Sequence, residues 1–329
     1  LNLPAVPVHD IKVKHEDLAI ATFGRSFWIL DDISPLRQWD EKYRGQTSHL
    51  FKPRTHMRLG INWWALYGGG VGGGQKNYFV QNGRMGHTFY ELGIVNGERK
   101  RKFLDAGGAR PYGAIIHYWL GEDAKDVSLS ILDENDQLIK AYEGDVLSQE
   151  AGLNRMIWDM NYPDTIAVPG KPAPGIIVQA KVGTYKAKLT VNGKSEVQIF
   201  ELKMNPNEKY TPEDSATRFE LWWRLRSIFE RSNREIIAAM ELAKEAGEDS
   251  EIAKRAKEFS GKLVPQGATL SEIANEPPKM LSKLTTVSSV LFHSEGPPPQ
   301  SAYDVVDEME KKIDAEIEAW KAFKAEHGK

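Results

Sequence analysis

Apolar and polar residues first alternate in three short runs: Val8-His9-Asp10-Ile11-Lys12-Val13, Leu18-Ala19-Ile20-Ala21-Thr22-Phe23 and Ser26-Phe27-Trp28-Ile29-Leu30. Each run predicts a strand. Lys14-His15-Glu16-Asp17 and Gly24-Arg25 supply the turns, and the pattern stops at Asp31-Asp32. Three strands without a second layer are marginal in water, so this small sheet needs a neighbour.

A second alternating block spans residues 109–210. Gly113-Ala114-Ile115-Ile116-His117-Tyr118-Trp119-Leu120 reads as one strand, and Val127-Ser128-Leu129-Ser130-Ile131-Leu132 as the next, apolar at every second position. Asp133-Glu134-Asn135-Asp136 turns the chain into Leu138-Ile139-Lys140-Ala141-Tyr142, and Met156, Trp158 and Met160 share one face of a further run. Residues 183–191 and 197–202 flank Asn192-Gly193, a strong local hairpin signal. Short strands with regular turns over this length imply an antiparallel β-sandwich of immunoglobulin or fibronectin-III type.

From residue 211 the period changes to that of a helix. Thr211-Pro212-Glu213-Asp214 offers a cap, a proline for the first helical position and acids for the first turn. Phe219, Trp222, Trp223, Phe229, Ile236, Ile237 and Met240 then recur on one face. Further helices are expected near 250–262 and 277–292. After Pro297-Pro298-Pro299, with Ser301 as cap, Val306, Met309, Ile313, Ile317, Trp320 and Phe323 make a last apolar stripe. Residues 211–329 are therefore expected to form a helical hairpin or small bundle, with the aromatic stripe as its core.

Residues 39–108 carry no comparable period and are expected to be an irregular, glycine-rich linker. They include Gly68-Gly69-Gly70-Val71-Gly72-Gly73-Gly74, six glycines in seven residues. A phosphate-cradling loop needs spaced glycines ending in Gly-Lys-Ser/Thr, and Gly193-Lys194-Ser195 lacks the earlier glycine. Trp63 and Trp64, with Tyr67, Tyr78 and Phe79, flank the glycine run. They offer either a sugar-stacking platform or anchors that hold the linker to a neighbouring domain.

The remaining chemistry is sparse. His15-Glu16-Asp17-Leu18-Ala19 begins like a zinc-protease helix but has Ala19 where the second histidine belongs. Asp133-x-Asn135 lacks the glycine and the glutamate of a calcium loop. Asp31 and Asp32, with His9 and Asp10 on a strand taken as neighbouring, are the acid–base candidates, since paired carboxylates can serve glycoside hydrolysis; a strand terminus or turn cap is the structural alternative. Arg25 can bind a carboxylate, or pair with Asp31 or Asp32. His87, His117 and His293 stand alone. The candidate residues are thus Arg25, Asp31, Asp32, Trp63 and Trp64, with no catalytic, metal or cofactor role assigned and no cofactor expected.

Composition adds limits. The 329 residues, 41% hydrophobic and 27% charged, suffice for two or three domains. A net charge of −3 gives no electrostatic pull toward nucleic acid. No run approaches a membrane span, and the absence of cysteine excludes disulfides and thiolate chemistry. No signal peptide opens the chain. Because the first residue is Leu1 rather than Met, the chain is expected to be the tail of something longer or one part of a split protein.

Asp10-Ile11-Lys12-Val13 and the run Ala21-Thr22-Phe23-Gly24-Arg25-Ser26-Phe27-Trp28-Ile29-Leu30-Asp31-Asp32-Ile33-Ser34-Pro35-Leu36 resemble the closing segment of large bacterial β-propeller proteins. These belong to the sortilin-like, BNR-repeat group often labelled glycosyl hydrolase, in which a histidine usually stands where this chain has Phe23. The resemblance continues through Arg110-Pro111-Tyr112-Gly113-Ala114, Gly152-Leu153-Asn154-Arg155-Met156-Ile157-Trp158-Asp159, Gly183-Thr184-Tyr185 and Met204-Asn205-Pro206. It implies closing strands of a propeller blade over 1–38, a linker over 39–108, an Ig-like sandwich over 109–210 and a helical domain over 211–329. It also implies a bacterial protein that is secreted, periplasmic or at the cell surface.

The resemblance implies little chemistry. The Asp-box pattern Ser-x-Asp-x-Gly-x-x-Trp does not occur, no family catalytic residue maps onto this chain, and fold analogy does not establish activity. The expected function is a non-catalytic accessory, binding or assembly region. Its partner would be the propeller portion, in the same chain or another, with a polysaccharide or protein ligand. The alternative is part of a polysaccharide-acting, sialidase-like glycoside hydrolase whose active site lies in the propeller. A structural subunit whose long helices pack on another chain is a third reading.

Overall fold

The computed structural model describes all residues except 1–2, 4, 59–75, 82–83, 96–97, 104–112, 172–175, 208, 268–271, 273–274, 293, 295 and 328–329. The protein is mixed β plus α and divides into two compact units, one of residues 1–160 and 182–203, the other of 161–181 and 204–329.

The first unit opens with strands β1 (Val8–Lys14), β2 (Asp17–Thr22) and β3 (Phe27–Leu30), which form an antiparallel sheet in chain order. The β1–β2 turn is the residue pair His15-Glu16, and both have positive φ, 51° and 66°. That is the handedness a two-residue hairpin requires, usually supplied by Asn-Gly. A short helix α1 (Ser34–Arg37) follows.

Residues 39–108 depart from the expected irregular linker. They contain β4 (Ser48–Leu50), β5 (His56–Arg58), and a separate three-stranded antiparallel sheet of β6 (Lys76–Gln81), β7 (Arg84–Val95) and β8 (Glu98–Phe103). β4 and β5 are only three residues long, too short to show a period, and β8 is the mostly charged run Glu98-Arg99-Lys100-Arg101-Lys102-Phe103. The glycine run itself lies outside the described residues.

The alternating block forms strands where its period places them: β9 (Ala114–Leu120), β10 (Val127–Leu132), β11 (Leu138–Glu143), β12 (Gly152–Trp158), β13 (Gly183–Val191) and β14 (Lys194–Met204). They join β4 and β5 in two sheets, ordered β11-β10-β13-β14-β5 and β12-β9-β4. Trp158 on β12 is fully buried and meets Tyr185 of β13 at 5.1 Å and Phe200 of β14 at 6.2 Å between ring centroids, so the two sheets share a core. Gly113 has no room for a side chain, because a Cβ there would strike the carbonyl oxygen of Trp158.

The second unit is built on α2 (Pro212–Ala246), α3 (Glu251–Leu263), α4 (Met280–Phe292) and α5 (Gln300–His327). Thr211 and Asp214 form a reciprocal capping box at the start of α2, and Ser250 caps α3. The last helix begins at Gln300, so Ser301 lies inside its first turn rather than capping it. All four helices contribute to one core that includes Trp222, Phe229, Phe259, Leu284, Ile313 and Trp320, joined by Val168, Ile176 and Val178 of the preceding extended segment. The stripe on α2 is only partly core, since Trp223 and Met240 are exposed.

One charge lies deep in this core. Arg218 is 2% exposed, and its guanidinium donates to the carbonyls of Leu291 and Ser294 at the end of α4. Leu291 is in the last turn of α4, where carbonyls lack intrahelical donors, Ser294 follows the helix end, and the negative end of the helix dipole favours the cation.

Candidate functional site: an uncovered sheet and the charge cluster at its root

The β1–β3 register sorts the side chains onto two faces. Ile11, Ile20 and Trp28 are opposed in one row and Val13, Leu18 and Leu30 in the next, so one face is a continuous apolar patch. The described residues cover it only in part: Leu18, Ile20 and Trp28 are half-buried, while Ile11 is 56% exposed and Val13 47%. The other face mixes charge with bulk, since Lys12 and Asp10 of β1 lie across Ala19 and Ala21 from Ile29 and Phe27, which are 57% and 76% exposed. β1 is exposed at every residue. The edge strand β3 is the unbroken apolar run Phe27-Trp28-Ile29-Leu30, without the charge or proline that usually blunts a free edge.

At the root of this sheet the chain turns inward. Asp32 has a positive φ of 56° and a fully buried carboxylate. Its Oδ1 accepts the backbone N–H of Ser34 at 3.1 Å, and its own N–H donates to Asp17 Oδ1 at 2.9 Å. Arg54, from the β4–β5 connection, closes the arrangement. Its Nη1 donates to the carbonyl of His15 at 2.6 Å and to Asp17 Oδ1 at 3.0 Å, and its Nε stands 3.9 Å from Asp32 Oδ2. The arginine thus holds the strained His15-Glu16 turn as well as both carboxylates.

Two imidazoles face the same cluster. His117 on β9 brings Nδ1 to 3.8 Å from Asp32 Oδ2, and Arg155 lies directly opposite it on β12. His56 on β5 lies within hydrogen-bond reach of the Ile115 carbonyl at 3.3 Å. Burial holds both pKa values down at about 4; the Asp32 charge pulls each up, while Arg54 pushes each down and Arg155 adds to that push at His117. Both rings are neutral at pH 7. Asp32 Oδ2 and Arg54 Nη2 make no hydrogen bond, so the cluster is closed but not fully satisfied.

The sequence candidates fall in different places. Asp32 enters the cluster, while Asp31 beside it is half-buried. His9 and Asp10 are not on the strand next to Asp31-Asp32, because β2 separates β1 from β3. Arg25 is exposed in the β2–β3 turn and makes no ion pair with a described residue; its carbonyl accepts the Trp28 indole N–H at 2.9 Å. The cation that meets Asp32 is Arg54, which the sequence did not single out. His117, taken as isolated, lies against Asp32 instead. Trp63, Trp64 and His293 lie outside the described residues, as does the side chain of His87.

Elsewhere, a shallow hollow of about 330 Å³ on α2 is lined by Trp223, Arg226, Ser227, Glu230, Arg231 and Arg234. Its arginines are engaged within the second unit: Arg231 with Glu310 and Asp314, Arg234 with Glu230, and Arg226 with the Pro163 carbonyl. Among the described residues no group of three or more histidine, cysteine, aspartate or glutamate side chains is placed to hold a metal ion, and no helix is long and apolar enough to cross a membrane.

No protein-family model matches the chain, and no curated protein does. Among solved structures it is similar to CopC from Methylosinus trichosporium OB3b, at 16% identity over 31% of this chain and 85% of that one, with a TM-score of 0.20.

Proposed function

We propose that this chain is a non-catalytic docking region of an exported bacterial β-propeller protein, in which β1–β3 complete a blade by pairing with the propeller portion. The observation that carries this reading is the apolar face of Ile11, Val13, Leu18, Ile20, Trp28 and Leu30, of which Ile11, Val13 and Leu30 are exposed beside an unguarded edge strand. A propeller supplies what that sheet lacks, since its blades are small sheets stacked face to face around an axis. The two packed sheets behind it suit an Ig-like sandwich that spaces and supports, and the shared core of Trp158, Tyr185 and Phe200 supports that finer assignment. The family resemblance of residues 10–36 points the same way, as does placement outside the cytoplasm.

Ile11→Glu tests the docking role. A residue waiting for a partner can be changed in the isolated chain at a cost within about 0.5 kcal/mol, the usual range for a surface substitution. Urea unfolding of the isolated chain should therefore be almost unaffected, while pull-down of the purified propeller portion is lost. A drop of about 2 kcal/mol in the chain alone would show that Ile11 is already covered, and the reading would fail.

A further inference from the structure

Among the described residues, a polar cluster ties the β1–β3 sheet to the rest of its unit. Arg54 binds the His15 carbonyl and Asp17, Asp17 binds the Asp32 N–H, and the Ile33 N–H donates to the Glu16 carbonyl at 2.7 Å. The exposed pair Arg37–Glu16 adds one more tie at 3.1 Å. Beneath that cluster lie two buried imidazoles. The groups facing His117 are Asp32 from the β3–α1 link, Arg54 from the β4–β5 connection and Arg155 from β12. Those facing His56 are Arg54, Asp32, His117 and the Ile115 carbonyl. His117 therefore faces two guanidinium groups, Arg54 and Arg155, with the Asp32 carboxylate at 3.8 Å, and His56 faces Arg54.

We propose that this cluster is an acid-opened latch, in which proton uptake by His117 and His56 releases the root of the β1–β3 sheet from β9. Neutral imidazoles fit this closed space, whereas an imidazolium at His117 is desolvated and faces Arg54 and Arg155 against the one attraction of Asp32, and one at His56 is desolvated beside Arg54. Opening lets water reach the rings, so the open form binds protons more readily than the closed one. Between about pH 6 and pH 4 the opening constant then rises roughly tenfold per pH unit for each histidine exposed. Above that range the latch stays shut. The effect on docking rests on the reading given under Proposed function; the latch itself does not.

Amide exchange followed by NMR on the whole chain without any partner tests it. The reporters are the N–H groups of Asp32, Ile33 and Ser34, corrected for intrinsic exchange, with the β9–β12 amides as internal reference. The expected result is protection of the three reporters falling at least tenfold per pH unit from pH 6 to 4 while staying well below that of the reference amides at every pH. His117→Gln should flatten that slope; if the variant does not fold, the wild-type slope decides. Reporters that show no pH dependence, or whose protection equals that of β9 and β12 at every pH, would overturn the latch. Neither outcome depends on the pull-down, so the two proposals fail separately.

Discussion

Burial of His117 and His56 makes the stability of the first unit depend on pH in a direction that follows from their chemistry. Each has a folded-state pKa of about 4, below its ordinary value near 6.5. Between those values the unfolded chain holds more protons than the folded one, so stability is fully present above about pH 6.5 and is lost as pH falls toward 4. A shift of this size corresponds to at most about 3 kcal/mol per histidine. Urea unfolding of the first unit should show a lower midpoint at pH 4.5 than at pH 7, and replacement of His117 by glutamine should reduce the difference. A midpoint independent of pH would mean that the rings are not held neutral by burial. Little of this cluster was legible beforehand. Asp31-Asp32 read as an acid–base pair or a strand terminus, because adjacency in sequence says nothing about which carboxylate turns inward. Arg54 and His117 meet Asp32 only through tertiary packing, and no local pattern marks that.

Among the elements, those with a clean period were legible and short or charged ones were not. β10 and β13 appear where apolar residues recur at every second position, because a strand with one buried face must have that pattern, and β9 appears as an apolar run buried at all but one residue. β6 to β8 were missed although Asn82-Gly83 and Asn96-Gly97 stand between them in the sequence, the same signal that marked the β13–β14 hairpin. The nearby glycine run and the charge of β8 drew the reading toward a linker. Helix starts depended on caps: Thr211 and Ser250 were legible, whereas the start at Gln300 follows directly from the prolines before it. The closest backbone approach in the β9–β12 pair yields the test at this scale. Gly113 has φ 142°, and a Cβ there would overlap the carbonyl of Trp158. Gly113→Ala should therefore destabilise the first unit by about 3 kcal/mol, well above an ordinary surface change. Thermal unfolding measures it, and a change below about 1 kcal/mol would show that the strand shifts freely.

For the molecule as a whole, the open question at the first strands was what covers them, and the described structure leaves them uncovered by this chain. The core shared by the two sheets of the first unit and the helical core of the second are each closed around buried aromatics, so both can stand without a partner. The β1–β3 sheet has no such core. Amide protection follows local stability, and a sheet whose first strand is exposed at every residue and whose central strand is only half-buried belongs at its low end. Hydrogen exchange across the isolated, monomeric chain at pH 7 therefore tests the docking account most directly. The account predicts that residues 8–30 exchange roughly a hundredfold faster than β9, β10, β13 and β14. Protection of residues 8–30 equal to that of those strands, in a monomer, would contradict it.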